Sequence, residues 1–282
     1  MPRFDKLKKI LTSKFELDLL DAALENLNDL SNKLRLNNFA YSVRELTRHF
    51  LNSISPDDNV KGCTWFKAEL PDGKLTRRQR IKYAIYGGIE ESTLEELGFN
   101  IEELNATISL LVGTIDSLSK FTHITPEIFN LKDTDIEQKA EEILKTLDKF
   151  VETIESYRTK LVDFLDGLIE EHMDESVASN AFINLDTLAP HYSLNYCDVS
   201  GYHISEINDQ EIIVDVEGRI HVTLEYGSSS DRREGDGVDL KESFKFKTQI
   251  KYFISSEFPS DDFEVIDYDV DTSPWYEGDN IE

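Results

Sequence analysis

Arg44 and His49 stand with four residues between them in the run FAYSVRELTRHFLNSISPDDNV. A histidine can transfer protons near neutral pH. An arginine can clamp a phosphate through two N–H groups and stabilise charge that develops during transfer. Together they suit cleavage of RNA without a metal ion, the ribose 2′-hydroxyl acting as nucleophile. Shortly downstream, KLTRRQRIKY gathers Lys74, Arg77, Arg78, Arg80 and Lys82. Three of these arginines fall in the first turn of an expected helix, where positive charge opposes the helix dipole. Such a cluster calls for a compensating anion, either a phosphate or carboxylates of this chain or a partner. A third candidate, His123, lies in LSKFTHITPEIFNL, three residues after Lys120 and at the end of an expected helix.

Each candidate also has a plain reading. Glu45 and His49 share a helix face as an i,i+4 pair, and in a straight helix Arg44 lies roughly 140° around from His49. Thr122 and Thr125 make His123 a plausible cap neighbour, and the basic run can pair with acids of the same chain. His172, His191, His203 and His221 show no ligand spacing and no partner pattern, so no role is assigned to them.

The elements that must position these residues change character near residue 175. Before it, apolar residues recur at three- and four-residue steps, the pattern of helices. Five are expected: about Phe15 to Leu36; Asn38 to Ile54, stopping before Pro56; from an N-cap at Thr76 to Gly87-Gly88; Ile101 to Phe121; and a long one from Thr134, with Glu137 completing a capping box. The last carries an apolar seam from Ile136 through Ala140, Ile143, Leu147, Phe150, Ile154, Tyr157, Leu161 and Phe164 to Leu168. Its steps alternate between four and three, as in a heptad stripe that packs within the chain or against a second copy. After residue 175, EIIVDV, RIHVTLEY and FKFKTQIKYF alternate as strands do. The expected class is therefore α+β: a helical bundle over 1–175, a linker over 176–195, a small antiparallel β-sandwich or sheet over 196–270, and an acidic tail over 271–282. DFEVIDYDV is expected to form an edge strand with a charged outer face.

The chain has 282 residues and a net charge of −26 from 56 acidic and 30 basic residues. Such a surface repels nucleic acid over most of its area, so any polyanion must be held locally. Residues 196–282 hold 22 acids and 7 bases, which suits a basic partner protein. Two distant cysteines, Cys63 and Cys197, argue against a disulfide framework or a zinc site and suit a reducing cytosol. No secretory leader and no membrane span is expected, and no metal or cofactor is called for.

The segments SVRELTRHFLNSISPDDNV, LTRRQRIKYAI, LSKFTHITPEIFNL and, more loosely, VEGRIHVTLEYGSSSDRREGDG resemble the predicted pPIWI-associating nucleases of prokaryotic conflict systems. The helical half also resembles HEPN domains, helical bundles that are often dimeric and often ribonucleolytic through an Arg-x(4–6)-His motif. Arg44 and His49 fit that spacing, although Glu45 follows the arginine where Asn or Asp is usual. The resemblance implies a cytoplasmic nuclease of antiphage or anti-plasmid defence, dimeric through its helical half and acting on RNA. On this reading Arg44, His49 and His123 are catalytic, and Lys74, Arg77, Arg78, Arg80 and Lys82 hold the nucleic acid. The alternative is a non-catalytic acidic module that dimerises and binds a basic partner. A metal-dependent nuclease, which needs a carboxylate cluster and a lysine at strand ends, has the least support.

Overall fold

A computed structural model describes residues 5–11, 13–179, 182–254, 258 and 263–277. The elements are α1 (Asp5–Ile10), α2 (Lys14–Asn28), α3 (Arg35–Ile54), α4 (Asp57–Gly62), α5 (Arg77–Tyr86), α6 (Glu91–Glu96), α7 (Ile101–Thr122), α8 (Pro126–Phe129), α9 (Asp133–Ser179), α10 (Ile183–Asp186), β1 (His191–Ile207), β2 (Glu211–Tyr226), α11 (Ser229–Glu234), β3 (Val238–Phe253), β4 (Phe263–Asp271) and α12 (Ser273–Glu277). The fold is α+β, mostly helical in its first half, with an open antiparallel sheet in the second. Packing divides the chain into two compact units, 1–159 and 160–282. The division falls inside α9. That helix and β1 both reach into the segment 176–195 that the sequence suggested as a linker.

In the first unit the expected helix over Phe15 to Leu36 is broken. Asp29 accepts from the backbone and hydroxyl of Ser31, and Asn32 accepts from the backbone of Leu34. Short polar side chains that capture nearby N–H groups compete with helix propagation, so α2 ends at Asn28 and α3 starts afresh at Arg35. The N-cap expected at Thr76 forms, but the capping box expected at Thr134 and Glu137 does not start the long helix, because α9 begins at Asp133 and takes Thr134 inside it. Thr76 and Gln79 form a full capping box at α5, and Asn100 accepts from Glu103 N at α7. Gly87, at φ 57, ends α5. Phe39, Val43, Leu46 and Phe50 of α3 are buried, with Phe50 edge-on to Phe150 of α9 at 6.3 Å. The α9 seam from Ile136 to Phe150 is buried within the single chain.

The seam changes period in the second unit. Leu161, Leu165, Ile169, Met173 and Val177 are buried, while Phe164 is 39 % exposed. Successive four-residue steps advance 400° around a helix of 3.6 residues per turn, so the buried stripe drifts away from the expected Phe164 and Leu168. The drifted face meets the sheet: His172 stacks on Phe263 at 3.8 Å, and Tyr268 donates to Ser176 Oγ at 2.9 Å.

The four strands lie in the order β1-β2-β3-β4, all antiparallel. Ile212, Val214, Val216, Ile220, Val222 and Leu224 of β2 are buried, so the intervening residues face outward. The same parity buries Phe244, Phe246, Ile250 and Tyr252 of β3 and turns Lys245, Lys247, Gln249 and Lys251 out. Gly218 has no room for a side chain, because a Cβ there would sit 2.2 Å from Asp198 O and 2.8 Å from the Phe246 ring. The expected edge strand is β4. The expected tail is described only to residue 277, and there Ser273–Glu277 form a short helix.

Candidate functional site

The sequence-derived residues of the first unit do not form one cluster. Arg44 is half-buried and makes no hydrogen bond or ion pair among the described residues. It shares a face of α3 with Asn37, seven residues earlier. Asn37 donates to Phe121 O at 2.6 Å, so this face looks toward α7. His49 looks the other way. Its ring is edge-on to Phe15 of α2 at 5.0 Å, and the Arg48 guanidinium lies 3.1 Å from its Nε2. Arg48 in turn donates to Glu45 at 3.0 Å. His123 is exposed at the C-cap of α7, two residues from the carbonyl that Asn37 reaches. Twelve residues of helix separate Asn37 from His49, roughly 18 Å at 1.5 Å per residue.

The basic block is engaged side chain by side chain. Arg77 pairs with Asp116 of α7. Arg78 donates to Ser109 Oγ at 3.0 Å and Asn105 Oδ1 at 2.5 Å. Arg80 donates to Ser55 O and Asp57, both at 2.6 Å. Lys82 pairs with Glu91 of α6, and Lys74 with Asp72 at 2.8 Å. Burial works against ionising Glu91, yet Lys82, Tyr86 and Asn105 outweigh it and hold the carboxyl below its ordinary range. The hydrogen bond from Arg80 does the same for Asp57. Burial and the Glu91 charge push the Tyr86 hydroxyl far up. These partners answer the opposed dipole, since the acids of α4, α6 and α7 stand where a bound anion would. A phosphate at α5 must displace them.

The outer face of the sheet holds a different arrangement. Cross-strand pairing sets His203 of β1 opposite Asp215 of β2, and Asp215 opposite Gln249 of β3. His203 Nε2 lies 3.3 Å from Asp215 Oδ2. The other carboxylate oxygen accepts from Gln249 at 2.7 Å and Ser205 at 3.1 Å. The carboxylate is thus held by Gln249 and Ser205 with the His203 ring beside it, while the His203 side chain is 73 % exposed. Both residues line a cleft of about 640 Å³ together with Glu217 and Lys247. Glu217 and Lys247 also line an adjoining cleft of about 1010 Å³ with Arg219, Lys245, Asp269 and Tyr276. Lys245 and Lys247 make no hydrogen bond or ion pair among the described residues, and Arg219 is held by Ser243. A second histidine–carboxylate contact, His221 to Asp198 at 2.8 Å, lies on the same face, its ring stacked on Tyr196 at 4.3 Å. His221 is six residues along β2 from Asp215, roughly 20 Å in an extended strand, and so serves a different spot.

Sequence reasoning passed over His203, Asp215 and Lys247 because register makes them neighbours. The one visible signal was the alternation in FKFKTQIK, which puts Lys245, Lys247 and Lys251 on one face. Among the described residues no group of three or more His, Cys, Asp or Glu is placed to hold a metal ion. Nor is any described helix long and apolar enough to cross a membrane.

Two family models match the chain, over residues 8–147 and 154–276, and both are described as predicted pPIWI-associating nuclease. No curated protein and no solved structure matches it.

Proposed function

Because the chain belongs to the family of predicted pPIWI-associating nucleases, we propose that it is a nuclease of prokaryotic antiphage defence that cuts RNA without a metal ion, on the outer face of its sheet. The observation that carries this reading is His203 beside a fixed Asp215 at the rim of a cleft shared with Lys247. In general acid–base catalysis the base needs an orienting partner and an open path to substrate. His203 takes the proton of the ribose 2′-hydroxyl, and the freed oxygen forms the new bond to phosphorus. The bond from phosphorus to the 5′ oxygen breaks, and Lys247 gives that oxygen a proton. Asp215 stabilises the imidazolium, and Arg219 and Lys245 steady the phosphates on either side. Exchange with water resets both groups.

RNA should therefore be cut in EDTA, leaving 2′,3′-cyclic phosphate ends, while DNA of the same sequence stays whole. Equal cutting of both, or a requirement for added divalent metal, would sink the reading. A non-catalytic role as an acidic module docked on a basic partner is favoured by one observation, the internal pairing of the α5 cations. It predicts no cleavage under any condition, with ready co-purification of a basic protein.

A further inference from the structure

The larger cleft mixes charges in a way that phosphate binding alone does not explain. Arg219, Lys245 and Lys247 share it with Glu217 and Asp269. Asp269 is exposed and makes no hydrogen bond or ion pair among the described residues. It stands opposite Lys247 in the β3–β4 ladder. Asp271, opposite Lys245, is different, because Ser273 holds it through both its N–H and its hydroxyl. A free carboxylate beside a phosphate path repels the backbone of a nucleic acid, yet it can accept from the N–H groups of a base. Tyr276 of α12 lines the same cleft and is 56 % exposed, an aromatic face without a stacking partner among the described residues. At about 1010 Å³ the cleft has room for a nucleotide.

We infer that this cleft is a base-recognition subsite that takes one unpaired guanine, stacked on Tyr276 with its Watson–Crick edge toward Asp269. The inference rests on the reading of the sheet face as the RNA-cutting site and names its substrate class, single-stranded RNA with guanine next to the cut. Guanine presents two adjacent donors on that edge, the ring N1–H and the exocyclic amino group, and a carboxylate matches both at once. Uracil offers one donor between two carbonyls, which a carboxylate repels. Adenine and cytosine each offer an amino group beside a ring acceptor. A base in a duplex has this edge occupied and its faces stacked, so only a single strand can enter. Lys245 and Arg219 then hold the flanking phosphates, and Lys247 keeps its place at the leaving oxygen.

The test is equilibrium binding of the full chain to 2′-O-methyl RNA 12-mers, which lack the 2′-hydroxyl and so report the subsite apart from cleavage. One strand is all uridine, and three others carry a single guanosine, adenosine or cytidine. The guanosine strand should bind about tenfold tighter than the all-uridine strand, and pairing it in a duplex should abolish that gain. Asp269→Asn should erase the guanine preference. Tyr276→Ala should weaken the guanosine strand by at least about fivefold, and Tyr276→Phe should restore it, with melting temperatures unchanged throughout. Equal binding of all four strands, no binding of any, or a guanine preference that survives Asp269→Asn would overturn the inference. Cleavage that persists without base preference would leave the nuclease reading standing and remove only the subsite.

Discussion

The cations of α5 and those of β3 resemble each other in sequence and differ in what surrounds them. Arg77, Arg78, Arg80 and Lys82 each reach a neighbouring element of the first unit, tying α5 to α7, to the start of α4 and to α6. Lys245 and Lys247 stand in a strand whose alternate residues are buried, so pleating turns them outward, and neither makes a hydrogen bond or ion pair among the described residues, although Lys245 lies near enough to Asp271 to favour its charged form. The amphipathic strand keeps its charges available, whereas the short, crowded helix uses its charges to assemble a bundle. On the proposed reading, the partners of a positive charge are a better guide to a phosphate site than its local density.

That contrast can be broken or sharpened by substitution. Lys247→Met should lower RNA cleavage about a hundredfold, with the melting temperature unchanged, whereas Arg77→Met should leave the cleavage rate within about twofold. In single-turnover assays, similar losses for the two would erase the distinction. Gly218→Ala should cost about 3 kcal/mol of stability, since its Cβ would overlap Asp198 O and the Phe246 ring. Denaturant unfolding followed by circular dichroism would measure this, and a neutral result would mean the β1–β2–β3 register is looser than described. Arg80→Met should destabilise the first unit by about 1–3 kcal/mol, because Ser55 O and Asp57 lose their donor. Cleavage by the folded fraction should not change.

The smallest effect expected is one of pH. The carboxyl of Glu91 is held below its ordinary value of 4.5. Its pairing with Lys82 therefore contributes fully above that value and is lost as pH falls through the lower, folded value. Glu91→Gln should remove that component, making the acid side of the stability profile shallower. An unchanged acid limb would show that the α5–α6 pair carries no linkage.

Much of the fold was legible because the rules involved are local. The N-cap at Thr76, the glycine stop at Gly87 and the alternation of β2 and β3 are written in adjacent residues, whereas the capping box expected at Thr134 was misplaced because α9 begins at Asp133. The break at Asp29 to Asn32 was also local but went unseen, since apolar periodicity continues across it while the Asx-type hydrogen bonds stop the helix. The end of the α9 seam was misplaced because the buried residues there, Leu161, Leu165, Ile169, Met173 and Val177, recur every four positions instead of alternating fours and threes. The candidate site was the least legible part. His203, Asp215 and Gln249 lie far apart in sequence and meet only through the register of three strands, and β1 reaches that register through bulges near Asn195, Ser200 and Ser205. The spacing of Arg44 and His49, by contrast, was visible at once, yet the helix directs them toward different neighbours.

The central claim is that the reacting proton moves at the sheet and not in the bundle. The most direct measurement compares single-turnover cleavage of one guanosine-containing RNA, in EDTA, by His203→Ala, His49→Ala and His123→Ala proteins of equal melting temperature. The account predicts a loss of about a hundredfold or more for His203→Ala and rates within about threefold of the unaltered protein for the other two. Full activity in His203→Ala, with loss in His49→Ala or His123→Ala, would contradict it.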